Sequence, residues 1–169
     1  MRASSTKGFT LIELLVTVAV SAFMLVAAVP SFSELIKNNL LTTATNDLIA
    51  SLGLARSEAI KQERPVTVCK SDDGASCVNT GNDWAQGWIV YFTDDDGNDV
   101  LLRVHEAIPD PVTMNGTSAI QNFISYDSSG WSGQQGDITV CDDRAGNVGK
   151  EIALVRTGRS RVGTGAACP

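Results

Sequence analysis

Two groups of residues in this 169-residue chain have the types and spacing to do chemistry, and they lie far apart in sequence. The run Gly158-Arg159-Ser160-Arg161 sets two guanidinium groups two residues apart behind a glycine. Side chains alternate along an extended segment, so Arg159 and Arg161 point to the same side. Each guanidinium can hold a phosphate bidentately, which makes the pair a candidate nucleic-acid contact. Arg156, Arg144 and Lys150 are candidates to extend it, because residues 144–161 hold these five bases against Glu151 alone. In so acidic a chain the same arginines can instead form salt bridges, and that alternative stays open. The second group centres on Glu13, the one ionisable residue between Phe9 and Val29. A carboxylate in a single-pass membrane span costs about 2.5–3.5 kcal/mol and asks for a partner.

Other candidates are weaker. The run Asp94-Asp95-Asp96-Gly97-Asn98-Asp99 has the oxygen ligands a calcium ion wants, but an EF-hand register would put Phe92 at the first ligand position. A solvated hairpin turn is the expected reading, and no metal site is assigned. His105 is the lone histidine, and no Cys/His pair or nucleophile-elbow motif accompanies it, so no catalytic residue, enzymatic activity or cofactor is expected. Trp84, Trp88 and Trp131 could stack on a ligand, but aromatics flanking strands are more often core, and the core is where they are expected. Four cysteines permit three pairings, of which Cys69–Cys77, around a short polar loop, and Cys141–Cys168 are expected. Zinc is disfavoured because C-x-x-C spacing and histidine partners are missing. Disulfides place the domain in an oxidising compartment beyond the inner membrane.

The formal net charge of −6 makes the whole chain no obvious nucleic-acid binder. Its distribution is uneven, with eleven acids and only Arg103 as a base between residues 71 and 137. At the other end, MRASSTKG carries Arg2 and Lys7 without an acid and should stay cytoplasmic. Phe9 to Val29 as a helix is about 31 Å long, enough to cross a hydrocarbon core of about 30 Å. A secretory signal peptide would have a shorter apolar run and a clearer cleavage site. Pro30 ends the apolar run and should bend the helix. Beyond it Leu41, Ala44, Leu48, Leu52, Ala55 and Ala59 recur at spacings of three and four, an amphipathic stripe to Pro65. Strands are expected at residues 66–69, 88–93, 100–104, 122–126, 137–141, 151–156 and 159–162, with hairpins at Asp94–Asp99 and Gly158. No parallel crossover helix appears, so the class is α+β with an antiparallel sheet.

Gly8-Phe9-Thr10-Leu11-Ile12-Glu13-Leu14-Leu15, after a short basic leader, resembles the class III signal of type IV prepilins and type II secretion pseudopilins. The resemblance implies cleavage by prepilin peptidase between Gly8 and Phe9, and methylation of the new Phe9 amine. Glu13 lies four residues from that amine on one helical face, so a neighbour's amine can neutralise it during assembly. Leu52 to Ile60, Trp84 to Phe92, Ser129-Gly130 and Thr157 to Val162 together resemble the GspH/FimT family of minor pilins and pseudopilins. That implies a type IV pilin fold in four parts: a leader at 1–8, a transmembrane and polymerisation helix at 9–29, its amphipathic half at 30–64, and a β-rich head at 65–169. In FimT-type pilins a GRxR motif is understood to bind DNA for natural transformation, and here it corresponds to Gly158, Arg159 and Arg161. The implied partners are other major and minor pilins, prepilin peptidase, the inner membrane before assembly, and non-specific DNA. The location would be the inner membrane, head in the periplasm, and then the cell-surface pilus. A structural minor pilin without DNA binding, or an H-type pseudopilin of type II secretion, is the alternative.

Overall fold

A computed structural model describes residues 8–169, with the side chains of residues 25–31 outside the description. Residues 1–7 of the expected leader (1–8) also lie outside it. The chain runs as one long helix, α1 (Leu11–Gln62), followed by β1 (Val66–Lys70), β2 (Trp88–Thr93), β3 (Asp99–His105), β4 (Thr113–Gly116), β5 (Phe123–Tyr126), β6 (Gly136–Cys141), β7 (Gly146–Leu154) and β8 (Ser160–Cys168). It divides into two compact units, Met1–Asn38 and Asn39–Pro169.

In the first unit the described residues form the N-terminal part of α1. Phe9, Leu11, Ile12, Leu14, Leu15, Val16, Val18, Val20, Phe23 and Met24 all stand exposed. Among the described residues no helix is long and apolar enough to cross a membrane. The last five residues of the expected span, 25–29, and Pro30 fall among the side chains that are not described.

The second unit has its own core. Leu41, Ala44, Leu48, Leu52, Ala55 and Ala59, the stripe expected from the spacing, are each at most 1% exposed. Burying a leucine in this way contributes about 2 kcal/mol. Between these residues Thr45 and Ser51 are buried too, because their hydroxyls donate to the carbonyls of Leu41 and Asp47 one turn back. The helix ends where Glu63 turns left-handed (φ 55°) and Pro65 follows.

The single sheet expected from the strand pattern is two four-stranded antiparallel sheets, in order β3-β2-β1-β5 and β4-β6-β7-β8. Val68, Trp88, Val90, Ile124 and Tyr126 from the first share a core with Met114, Ile138, Val140, Ile152 and Leu154 from the second. β4 was not expected, since Thr113-Met114-Asn115-Gly116 has little β-branched character, but Met114 is fully buried and pairs with Val140. β7 begins five residues earlier than expected and stops at Leu154, so Arg156 stands in a turn and not in a strand. β8 continues to Cys168, where the Cys141–Cys168 disulfide ties its end.

Candidate nucleic-acid interface

The hairpin joining β7 to β8 is closed by two backbone hydrogen bonds. The Gly158 N–H donates to the Val155 carbonyl (2.9 Å), and the Val155 N–H donates to the Arg159 carbonyl (3.1 Å). This three-residue loop requires a left-handed residue before the return strand, and Gly158 supplies it with φ 76°. Space imposes a second requirement: a Cβ at Gly158 would run into the carbonyl oxygen of Gly130.

That contact belongs to a three-way junction. Arg56, on α1, donates from Nε to the Gly130 carbonyl (3.0 Å) and from Nη2 to the Thr157 carbonyl (3.1 Å). The Ser132 N–H donates to the Arg156 carbonyl (2.9 Å). A helix, the 127–132 loop and the hairpin tip therefore hold one another. The three meeting points lie in separate stretches of sequence, within the segments that carry the family resemblance. What the sequence did not show is that Arg56, Gly130 and Gly158 form one structure.

From this junction the register of β8 fixes where the arginines stand. Ser160 pairs with Leu154 and Val162 with Ile152, two buried residues, so Ser160 and Val162 belong to the core-facing side. Arg161 pairs with Ala153 on the opposite side, and alternation carried one residue beyond the start of β8 puts the exposed Arg159 on that outer side as well. Arg156, Arg159 and Arg161 are all exposed, and among the described residues none of them forms an ion pair. Glu151 lies diagonally across from Arg161 on the outer side without bonding to it.

Arg144 and Lys150 do not join this group. Arg144 is bound to Asp142, with Nη2 to Oδ2 at 2.6 Å and Nε at 3.0 Å from both carboxylate oxygens, and the two side chains are 14% and 1% exposed. It precedes β7, whose nine residues separate it from the hairpin tip by about 30 Å at ~3.3 Å per residue. Lys150 pairs with Val140, a buried residue, and so occupies the other face of the sheet from Arg161. Charge density along the sequence had grouped them, and strand alternation and a local salt bridge separate them.

Trp131 also departs from expectation. Trp84 and Trp88 are fully buried, with indole N–H groups donating to the Ile120 carbonyl (3.1 Å) and the Ser51 hydroxyl (2.9 Å). Trp131 is 54% exposed. Its backbone is bound on both sides to Asp127, whose N–H donates to the Trp131 carbonyl (3.0 Å) and whose Oδ1 accepts the Trp131 N–H (3.0 Å). The same oxygen accepts the Ser129 hydroxyl (2.6 Å), and these bonds, the Ser129 hydroxyl first, hold the Asp127 carboxyl below its ordinary range. Behind the junction, burial pushes the Tyr126 phenol up to about 12.

The remaining candidates are structural. Cys69–Cys77 and Cys141–Cys168 are both bonded. Lys70, fully buried, reaches across the first loop to the Thr80 and Gly81 carbonyls (2.7 Å each), and burial lowers its ammonium. His105 stacks on Trp88 at 4.0 Å between centroids, with Nε2 3.4 Å from Asp47. Asp94 spends its Oδ1 on the N–H groups of Asp96 (3.0 Å) and Asn98 (2.8 Å) within the hairpin turn. Among the described residues no group of three or more His, Cys, Asp or Glu is placed to hold a metal ion.

At the start of α1, Thr10 and Glu13 form a capping box. The Glu13 N–H donates to Thr10 Oγ1 (3.3 Å), and Glu13 Oε2 lies 3.5 Å from both the Thr10 N–H and hydroxyl. Gly8 and Phe9 precede the helix and are exposed, with nothing within 4 Å of a Cβ at Gly8.

Comparison with known proteins brings both ends together. The family described as type II transport protein GspH matches residues 44–158, and the prokaryotic N-terminal methylation motif matches residues 3–29. No curated protein matches significantly. Among solved structures, the type IV minor pilin FimU of Pseudomonas aeruginosa strain PAO1 is similar in two crystal forms. One is 22% identical with a TM-score of 0.62, covering 78% of this chain and 93% of FimU. The other is 21% identical with a TM-score of 0.59, covering 76% and 96%. The fold is therefore that of a type IV pilin.

Proposed function

Because this chain belongs to the GspH family and carries the N-terminal methylation motif, we propose that it is a minor type IV pilin that assembles through its N-terminal helix and binds DNA through Arg159 and Arg161. Cleavage between Gly8 and Phe9 releases an amine one helical turn from Glu13. In a growing fibre that amine and the Glu13 carboxylate of a neighbour pair, relieving two charges removed from water. The helix anchors the subunit in the inner membrane before assembly, and the pilus carries the head to the cell surface afterwards.

The observation that carries the DNA reading is the hairpin tip: Arg156, Arg159 and Arg161 exposed around a turn pinned from two other elements, with no acid paired to them. Three arginines on phosphates predict a modest, sequence-independent affinity. The salt slope for three contacts is about −2.7, a loss of roughly 40-fold between 50 and 200 mM salt. The test is gel retardation of mixed-sequence duplex DNA by residues 33–169 at low salt. The native sequence should retard it, and Arg159→Gln with Arg161→Gln should abolish retardation while leaving the melting temperature within about 2 °C. Absence of retardation by the native sequence would refute DNA binding and leave a structural pilin or a pseudopilin of type II secretion.

A further inference from the structure

We propose that Trp131 is a stacking platform for an unpaired base, so that the arginine site takes single-stranded DNA in preference to duplex. The inference rests on the DNA reading above and adds the substrate form.

Three observations support it. Trp131 sits between Gly130, which packs on Gly158, and Ser132, whose N–H donates to the Arg156 carbonyl. The indole is thus attached to the hairpin tip that displays the arginines. Secondly, the residue is more than half exposed, whereas the other two tryptophans are sealed and hydrogen-bonded. A ring of this size left in water is a ready surface for the face of a base. Thirdly, the backbone on which it stands is ordered before any ligand arrives, since Asp127 binds both the N–H and the carbonyl of Trp131. Little ordering entropy is then lost on binding. The Asp127 carboxylate does not oppose the polymer strongly, because its Oδ1 is turned into the loop toward the Ser129 and Trp131 N–H groups.

A flat aromatic joined through the backbone to an arginine-bearing hairpin has the two parts by which single strands are held without sequence preference: phosphates go to the arginines and a base to the ring. In a duplex the bases are already stacked on each other and offer the ring only an edge or a frayed end. Pyrimidines and purines should be accepted alike.

The experiment measures binding of the full chain in neutral detergent to a fluorescein-labelled 20-mer of thymidine and to a 20-base-pair duplex at 50 mM salt. The single strand should bind at least fivefold more tightly. Trp131→Ala should weaken the single strand about tenfold and the duplex less than twofold, and Trp131→Phe should restore most of the loss. Emission from the exposed indole should fall on adding the thymidine 20-mer, a change absent in Trp131→Phe because Trp84 and Trp88 are buried. Equal loss on both probes, or unchanged single-strand binding by Trp131→Ala, would overturn the stacking role while the arginine site stands. If neither probe binds the native chain, the DNA reading fails and this inference with it.

Discussion

Replacing Gly158 by alanine should be among the most damaging single methyl groups that can be added to the head. Two costs combine at this position. A left-handed φ of 76° costs an L-residue about 1–2 kcal/mol. The added Cβ also meets the Gly130 carbonyl, which is backbone and is itself held by Arg56, so relief requires moving a loop. Overpacking of this kind costs about 1–3 kcal/mol. The sum is about 3 kcal/mol, or about 10 °C in melting temperature for a unit of this size. Gly97 supplies the control, because its φ of 84° is equally left-handed but nothing lies within 4 Å of a Cβ there. Gly97→Ala should cost about 1 kcal/mol. Urea denaturation of residues 33–169 carrying each change measures both. Gly158→Ala should also weaken DNA binding, since the hairpin tip must shift under Arg159. Equal destabilisation by the two substitutions, or a cost below about 1 kcal/mol at Gly158, would refute the claim that the junction fixes the turn.

Arg56→Met keeps the length of the side chain but removes both donors to the Gly130 and Thr157 carbonyls, and should cost about 2 kcal/mol in urea denaturation while lowering DNA affinity without touching an exposed arginine. Lys150→Gln and Arg144→Gln should leave retardation of DNA within twofold; Arg144→Gln should nevertheless lower the melting temperature, because it takes the guanidinium away from the buried Asp142 carboxylate. Acid should loosen the loops together. Asp73, Asp94 and Asp127 all have folded-state pKa values depressed by hydrogen bonds, led by the Ser76 hydroxyl, the Asn98 N–H and the Ser129 hydroxyl respectively. The folded state then binds fewer protons than the unfolded one, so this stability is complete above the ordinary carboxylate range and is lost as pH falls below about 4. Melting temperatures measured from pH 6 to 2 should decline over that interval, and Asp127→Asn should make the decline shallower.

The amphipathic stripe of α1 was legible because a helix repeats its buried face every three or four residues, and Leu41 through Ala59 keep that period. Most strand positions were legible for the same kind of reason, as were the turns at Gly97 and Gly158. Pairing was not. Nothing in the alternation of β1 or β6 says that they belong to different sheets, and β4 is held by Met114 in a sequence context poor in strand formers. The candidate site divides in the same way. Arg159 and Arg161 are neighbours in sequence and remain neighbours on the outer face. Lys150 is separated from them by strand parity, and Arg144 by a salt bridge to Asp142, neither of which charge counting registers. Arg56 and Trp131 reach the site through the fold alone. Trp131 in particular was expected in the core because tryptophan usually is; a five-residue loop closed on Asp127 holds it outside.

Under the proposed DNA reading, the Arg56 junction also bears on what happens when a captured polymer is pulled. Force applied at Arg159 or Arg161 reaches the backbone of the hairpin, whose tip is tied to α1 by the Arg56 bond to the Thr157 carbonyl, while the same guanidinium holds the Gly130 carbonyl on which Gly158 packs. Tension therefore passes straight into a helix without first drawing out a flexible loop. The grip is loaded against the long helix, and the dissociation rate of bound DNA under pull should depend on Arg56, a residue outside the proposed DNA contact.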